Sequence, residues 1–266
     1  MEKETTNVRS VQKALLLLDR VVLRDINNTG VSFADIVSEF GWPAGTVHNL
    51  LKTLVAAGYL SMSGRGVYTT GNKCHRIARV IQCGSSDFTS GINAILQRYV
   101  DEYGEACNAV ILNEGERVVI GYVDSNQVIH ASHAMVDSSP FFSKPTGRLL
   151  TAFANDDELQ AIIKHQGMPG DIWDGITDIN KLKSAMKKTR DAGYSIINDT
   201  AGLAAISCPV YTAGGRLWGV LGTFAPAFRC DEKRISILLS ALQKIAKEIS
   251  EFISAEGVFH VAERNN

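Results

Sequence analysis

Gly41-Trp42-Pro43-Ala44-Gly45-Thr46-Val47-His48-Asn49-Leu50-Leu51-Lys52-Thr53-Leu54 holds a stop, a start and two unlike faces in one short stretch. Gly41 ends a preceding helix, and Pro43 suits the first turn of a new one, where its missing N–H costs nothing. Val47, Leu50, Leu51 and Leu54 then form an apolar stripe that runs until Gly58. Displaced from it by two positions, Gly45, His48, Asn49 and Lys52 fall at i, i+3, i+4 and i+7, flanked by Ala44 and Thr46. A helix with one face for a core and another made of small or hydrogen-bonding residues is suited to a DNA groove. Asn reads adenine bidentately, Thr and His reach base edges or phosphate, Lys52 pairs with phosphate, and small residues let the helix start sink in.

The flanking sequence supplies what such a helix needs. Upstream, Val11, Ala14, Leu15, Leu18 and Val22 repeat at helical spacing and predict a first helix packed through that stripe. After Asn27-Asn28-Thr29-Gly30, Ser32 with Asp35 three residues on predicts a capped second helix, with Phe33, Ile36, Val37 and Phe40 along one side. Downstream, Tyr59–Met62 and Val67–Thr70 are strand-like runs around Ser63-Gly64-Arg65-Gly66, a hairpin that places Arg65 at its tip for phosphate or minor-groove contact. Three helices and a two-stranded wing predict a winged helix-turn-helix domain. A mixed basic and apolar helix, Lys73–Gln82, leads from it to a boundary at Cys83-Gly84-Ser85-Ser86.

Beyond that boundary helices and strands mix. Helices are predicted at about 88–103, 146–154, 157–165, 179–192 and 231–253, and strands at about 109–112, 118–123, 206–211 and 217–224, the last two joined as a hairpin through Ala213-Gly214-Gly215. This is an α+β unit with a mostly antiparallel sheet.

Composition narrows the function. With 266 residues, 45% hydrophobic and 21% charged, the chain is neither collagen-like, nor disordered, nor a small disulfide-stapled module. No apolar run approaches the roughly 18 residues of a membrane span, and the polar start Met1–Asn7 carries no leader signal, so a cytoplasmic protein without membrane contact is expected. Five cysteines form no CxxC pair, and no cofactor motif, metal cluster or catalytic constellation is read. His130 and His133 with Cys208 form only a weak candidate for a nucleophile pair. The net charge of −1 divides unevenly. Residues 1–83 hold 10 Lys/Arg against 6 Asp/Glu, net +4, leaving 17 against 22, net −5, for the remainder. The polyanion partner is therefore expected at the amino-terminal end.

Ser10-Val11-Gln12-Lys13-Ala14-Leu15, the stretch 41–55 and Gly58-Tyr59-Leu60 resemble the amino-terminal domain of IclR-type transcriptional regulators. Ser143–Arg148, Gly202–Val210 and Trp218–Pro226 are similar, in the same order, to motifs of that family's effector domain. The resemblance covers about residues 8–253. It implies a winged helix-turn-helix domain over 1–71, a linker helix over 72–86 and a GAF-like α+β effector domain over 87–266. It also implies double-stranded DNA as partner, a small organic or aromatic acid as effector, and a homodimer or dimer of dimers. Carried over position by position, the effector site comprises Pro145, Thr146, Gly147, Asp199, Ala205, Gly222 and Phe224, with Arg148 near its rim.

Departures from the family pattern shape the expectation. Where recognition helices of the family commonly carry lysine, serine and arginine, this chain has Ala44, Gly45 and Asn49. Pro145 replaces a small residue, Ala205 a cysteine or serine, and Gly222 and Phe224 two serines that face the ligand. Of an acidic run only Asp199 remains. Without the serine hydroxyls, a larger and partly apolar effector is expected, or else Phe224 fills the cavity as core. The rival to a regulator is a metabolite-sensing or hydrolase-like GAF-type protein in which the winged helix serves as a protein interaction module.

Overall fold

A computed structural model of the chain describes residues 8–24, 29–64, 66–130, 138–198 and 202–255. They divide into two units, one ending at Gln82 and the other beginning at Cys83.

In the first unit, α1 (Arg9–Val22), α2 (Phe33–Phe40) and α3 (Ala44–Ala56) precede a hairpin of β2 (Leu60–Ser63) and β3 (Val67–Thr70), followed by α4 (Asn72–Cys83). Ser32 caps α2, accepting from the Asp35 amide at 3.1 Å while its hydroxyl donates to the Asp35 carboxylate at 2.6 Å. Gly41 closes α2 at φ 61°, a left-handed conformation that a side chain would strain. The wing holds a strand that sequence patterning missed. β1 (Val31–Ser32) pairs antiparallel with β3, giving a sheet ordered β1-β3-β2.

The core of this unit joins Leu17 and Val21 of α1, Ile36 of α2, Val47, Leu51 and Leu54 of α3, and Leu60 and Tyr68 of the wing. This corrects the stripe expected on α1. Val11 and Leu15, read as core, are 55% and 54% exposed, while Leu17 and Val21 are fully buried. The cause is the run Leu15–Leu18. Leu15 and Leu17 stand roughly 200° apart on a helix, so four leucines in a row are apolar on every side and periodicity alone does not choose which side packs.

The second unit is built on a five-stranded antiparallel sheet ordered β5-β4-β8-β7-β6, comprising β4 (Ala106–Asn113), β5 (Glu116–Val123), β6 (Ser195–Asn198), β7 (Leu203–Tyr211) and β8 (Leu217–Pro226). Its helices are α5 (Ser86–Tyr103), α6 (Pro145–Phe153), α7 (Asp156–Gln166), α8 (Ile179–Ala192) and α9 (Glu232–Ala255). Gly222 of β8 meets Thr146 of α6, whereas the next residue, Thr223, lies beside Tyr99 of α5. Successive residues of a strand point to opposite faces, so α6 covers one face of the sheet and α5 the other. α9 packs against α5 and along β7 and β8. Among the described residues no helix is long and apolar enough to cross a membrane.

Local chemistry sets the helix starts in this unit. Pro145 opens α6, Asn155 and Glu158 form a reciprocal capping box on α7, and the Asp178 carboxylate accepts from the Asn180 and Lys181 amides at the start of α8. An α+β fold with a winged helix-turn-helix unit is thus the architecture. β6, four residues after Gly193, was not expected from the sequence.

Candidate nucleic-acid interface and effector pocket

Along α3, Val47, Leu51 and Leu54 are buried, and Ala44, Gly45, His48, Asn49 and Lys52 are exposed, with Thr46 half-buried between the two faces. The two faces read from spacing are therefore the two faces of the folded helix. The amides of Thr46 and Val47 close onto the Pro43 carbonyl at 2.9 and 3.2 Å, fixing the first turn. The His48 ring stands edge-on to Phe33 of α2, with centroids 6.3 Å apart. The Thr53 hydroxyl bonds back to the Asn49 carbonyl at 2.9 Å. Near the helix start, the Lys13 ammonium lies 4.8 Å from the centre of the Trp42 ring. Arg20 and Arg24 both pair with Glu39, which ties α1 to α2. Arg65, expected at the wing tip, lies outside the described residues.

In the second unit a cavity of about 40 Å³ opens beside the start of α6. Its wall includes Pro145, Thr146, Ala205, Gly222 and Phe224, five of the seven positions expected from the sequence. Gly147 is one position away from that wall, and its role is steric. A Cβ there would lie 2.0 Å from the Phe141 carbonyl oxygen, so glycine is what lets α6 start against the preceding turn. Asp199 lies outside the described residues. Arg148 is also a structural residue. Its Nε donates to the Phe142 carbonyl at 2.9 Å, its guanidinium reaches the Ile172 carbonyl at 2.6 Å, and it stacks over Trp173 at 5.3 Å.

Three wall residues escaped the sequence reading: Asn108 of β4, Arg117 of β5 and Lys144, which precedes α6. Asn108 had a signal, since it is the one polar residue in the run Ala106–Leu112, which is otherwise buried and apolar. Arg117 and Lys144 had none, because only the fold brings them to the same cavity. The Arg117 Nε donates to the Thr146 hydroxyl oxygen at 3.0 Å. Phe224 is buried against Ala106 and Ala205, with Tyr122 and Leu203 beside it. It occupies space that an aromatic ligand would need, so the cavity as it stands seats only a compact molecule.

The nucleophile pair gains no support. Burial pushes the Cys208 thiol well above its usual range, which keeps it neutral and unreactive. His130 bonds the Gln127 carbonyl at 2.9 Å, and His133 lies outside the described residues.

Comparison with known proteins agrees with this anatomy. The family model for the IclR helix-turn-helix domain matches residues 10–62, and that for the bacterial transcriptional regulator IclR C-terminal domain matches 83–251. The chain is 22% identical to the acetate operon repressor of Salmonella typhimurium, across 92% of this chain and 90% of that protein. It is likewise 22% identical to the transcriptional repressor IclR of Escherichia coli, with the same two shares. Among solved structures, the Thermotoga maritima IclR superposes with a TM-score of 0.52 at 20% identity, over 93% of this chain and 99% of that one. Pseudomonas aeruginosa HmgR does so with a TM-score of 0.52 at 20% identity, over 92% and 98%. The C-terminal match alone takes in more than half of the chain, which therefore belongs to the IclR family of bacterial transcriptional regulators, DNA-binding proteins and not enzymes.

Proposed function

We propose that the protein binds a palindromic operator as a homodimer through Ala44, Gly45, Thr46, His48, Asn49 and Lys52, with Arg65 on the backbone or in the minor groove. In this reading a small organic acid in the cavity beside α6 modulates that binding. The observation that carries it is the division of α3, whose buried side belongs to the core and whose exposed side carries small and hydrogen-bonding residues. Net +4 over residues 1–83 supports contact with phosphate, and kinship with transcriptional regulators favours this reading over an interaction module.

Dimerisation is supported by the apolar side of α1 that the core leaves uncovered. Val8, Val11 and Leu15 share one exposed helix face, and Ile77 and Ile81 of α4 are exposed as well. Exposed aliphatic residues clustered on one helix mark an association surface in a protein that works on paired half-sites. The protein acts in the cytoplasm, where operators are.

Recovering and sequencing the DNA that the protein retains from its own genome tests the whole reading. A recurring two-fold symmetric site is expected, bound with a steep loss of affinity as salt rises. Retention of random fragments alone, or binding insensitive to salt, would overturn it.

A further inference from the structure

Asn108, Gly222 and Ser207 form one row across three strands, since Asn108 pairs with Gly222 and Gly222 with Ser207. Glycine at the centre leaves a notch. A Cβ there would lie 2.5 Å from Asn108 Oδ1 and 2.7 Å from the Thr146 methyl carbon. Asn108 is only 4% exposed, and its Oδ1 has no hydrogen-bond partner among the described residues; the Ser207 hydroxyl on the other side of Gly222 is in the same condition. A buried acceptor left unbonded is costly, and this one belongs to the cavity wall.

The other end of the cavity has the opposite character. Lys144, 7% exposed, and Arg117 contribute two cations to the wall, and α6 begins there with its first amides and the positive end of its dipole. The Thr146 hydroxyl accepts from Arg117, so its own hydrogen is left to give to an anion. Leu203, Ala205, Ile206 and Phe224 supply an apolar side.

Taking the effector reading above as its basis, we propose that the ligand is a short hydroxy-carboxylate, its carboxylate held by Lys144, Arg117 and the start of α6 and its hydroxyl donating to Asn108 Oδ1. A carboxylate or keto oxygen only accepts, so neither satisfies Asn108 Oδ1. An ammonium donates, but it meets the two cations. A hydroxyl donates without adding charge. The volume sets the length: a cavity of about 40 Å³ has room for roughly three waters, the bulk of an acid of two to four carbons.

The test measures binding of matched acids to the full-length protein by calorimetry and thermal shift, comparing glycolate with acetate and each lactate enantiomer with propionate. The hydroxy acid of at least one pair is expected to bind about tenfold tighter or more, because its unhydroxylated twin leaves the buried acceptor unbonded. Asn108→Leu should erase that preference, and Lys144→Gln should weaken both members of a pair by a similar factor. Equal binding of the members of each pair would overturn the proposal and leave the effector reading standing, as would a preference that survives Asn108→Leu. No binding of any of these acids, with operator binding that still responds to a metabolite extract, would do the same. Operator binding that responds to no metabolite at all would remove the effector reading along with it. The comparison of acids on the unaltered protein decides the matter even if Asn108→Leu fails to fold.

Discussion

Lys52→Ala is the substitution that most directly separates affinity from sequence choice. On α3 the exposed face carries Lys52 as its one lysine or arginine, while Ala44, Gly45 and Thr46 at the helix start bring no charge. Each phosphate contact contributes about 0.9 to the slope of log K against log salt, so the two copies in a dimer should lower the slope by roughly 1.8 on B-form DNA. Between 50 and 200 mM salt, a slope difference of that size changes the affinity ratio by about twelvefold. The loss should fall alike on operator and random duplex, because phosphates carry no sequence. Asn49→Ala should behave in the opposite way, costing roughly 1–3 kcal/mol at particular bases and leaving the salt slope in place. Fluorescence anisotropy on labelled duplexes across a salt series reads both quantities. If the lysine variant keeps the slope of the unaltered protein, or if the asparagine variant weakens random and specific DNA equally, α3 is not the reading helix.

Three further outcomes follow from the geometry. Leu15→Glu, on the exposed side of α1, should leave the melting temperature within about a degree or two and shift the sedimentation profile from dimer towards monomer; an unchanged dimer would place the interface elsewhere. Glu105, almost fully buried, receives both arms of Arg229 at 2.7 Å, so Arg229→Ala should cost about 3 kcal/mol of unfolding free energy. That is the low end for breaking a buried pair, because Arg229 is 24% exposed. Much of the loss should return in the double variant with Glu105→Gln, and denaturant titration of the three variants checks this. Gly147→Ala sets a methyl against the Phe141 carbonyl oxygen and should destabilise the second unit by roughly 2 kcal/mol, visible as a lower denaturation midpoint, whereas a neutral result would mean that the start of α6 is free to shift.

Much of the first unit was legible because its signals are local. Ser32 with Asp35, Gly41, Pro43 and Gly58 are punctuation that acts within a few residues, and the structure uses each where spacing put it. β1 is only two residues long and exists through its pairing with β3, so no pattern within Val31-Ser32 announced it. The packing side of α1 was ambiguous because leucine occupies four consecutive positions, and the neighbours that choose among them come from α2, α3 and the wing. In the second unit, strand and helix types were readable from periodicity, but the pocket depends on register. That Asn108 stands across from Gly222, and that Arg117 reaches Thr146, are consequences of how β4, β5 and α6 meet, which no local pattern contains. Motif similarity named positions such as Gly147 and Arg148 that serve the scaffold of the site, and it passed over the cations that line it.

The size of the pocket also bounds what the effector can do. Very small ligands reach at best about 1.5 kcal/mol per heavy atom, so a five-atom acid is limited to roughly 7.5 kcal/mol, a dissociation constant of a few micromolar. Only the part of that energy that differs between two conformations of the protein can move the operator equilibrium, and such couplings commonly run to about 1–3 kcal/mol, or 5- to 150-fold. A switch of that size suffices only if DNA binding is steep in geometry, which a dimer provides. When two recognition helices are joined, the second engages its half-site as an intramolecular event, and an arrangement that misplaces it forfeits the avidity. The sparse charge on α3 and the uncovered face of α1 belong to the same logic. A single copy with so few phosphate contacts holds operator weakly, so affinity resides in the pairing of copies, and a compact acid that alters that pairing need not outcompete DNA for any contact.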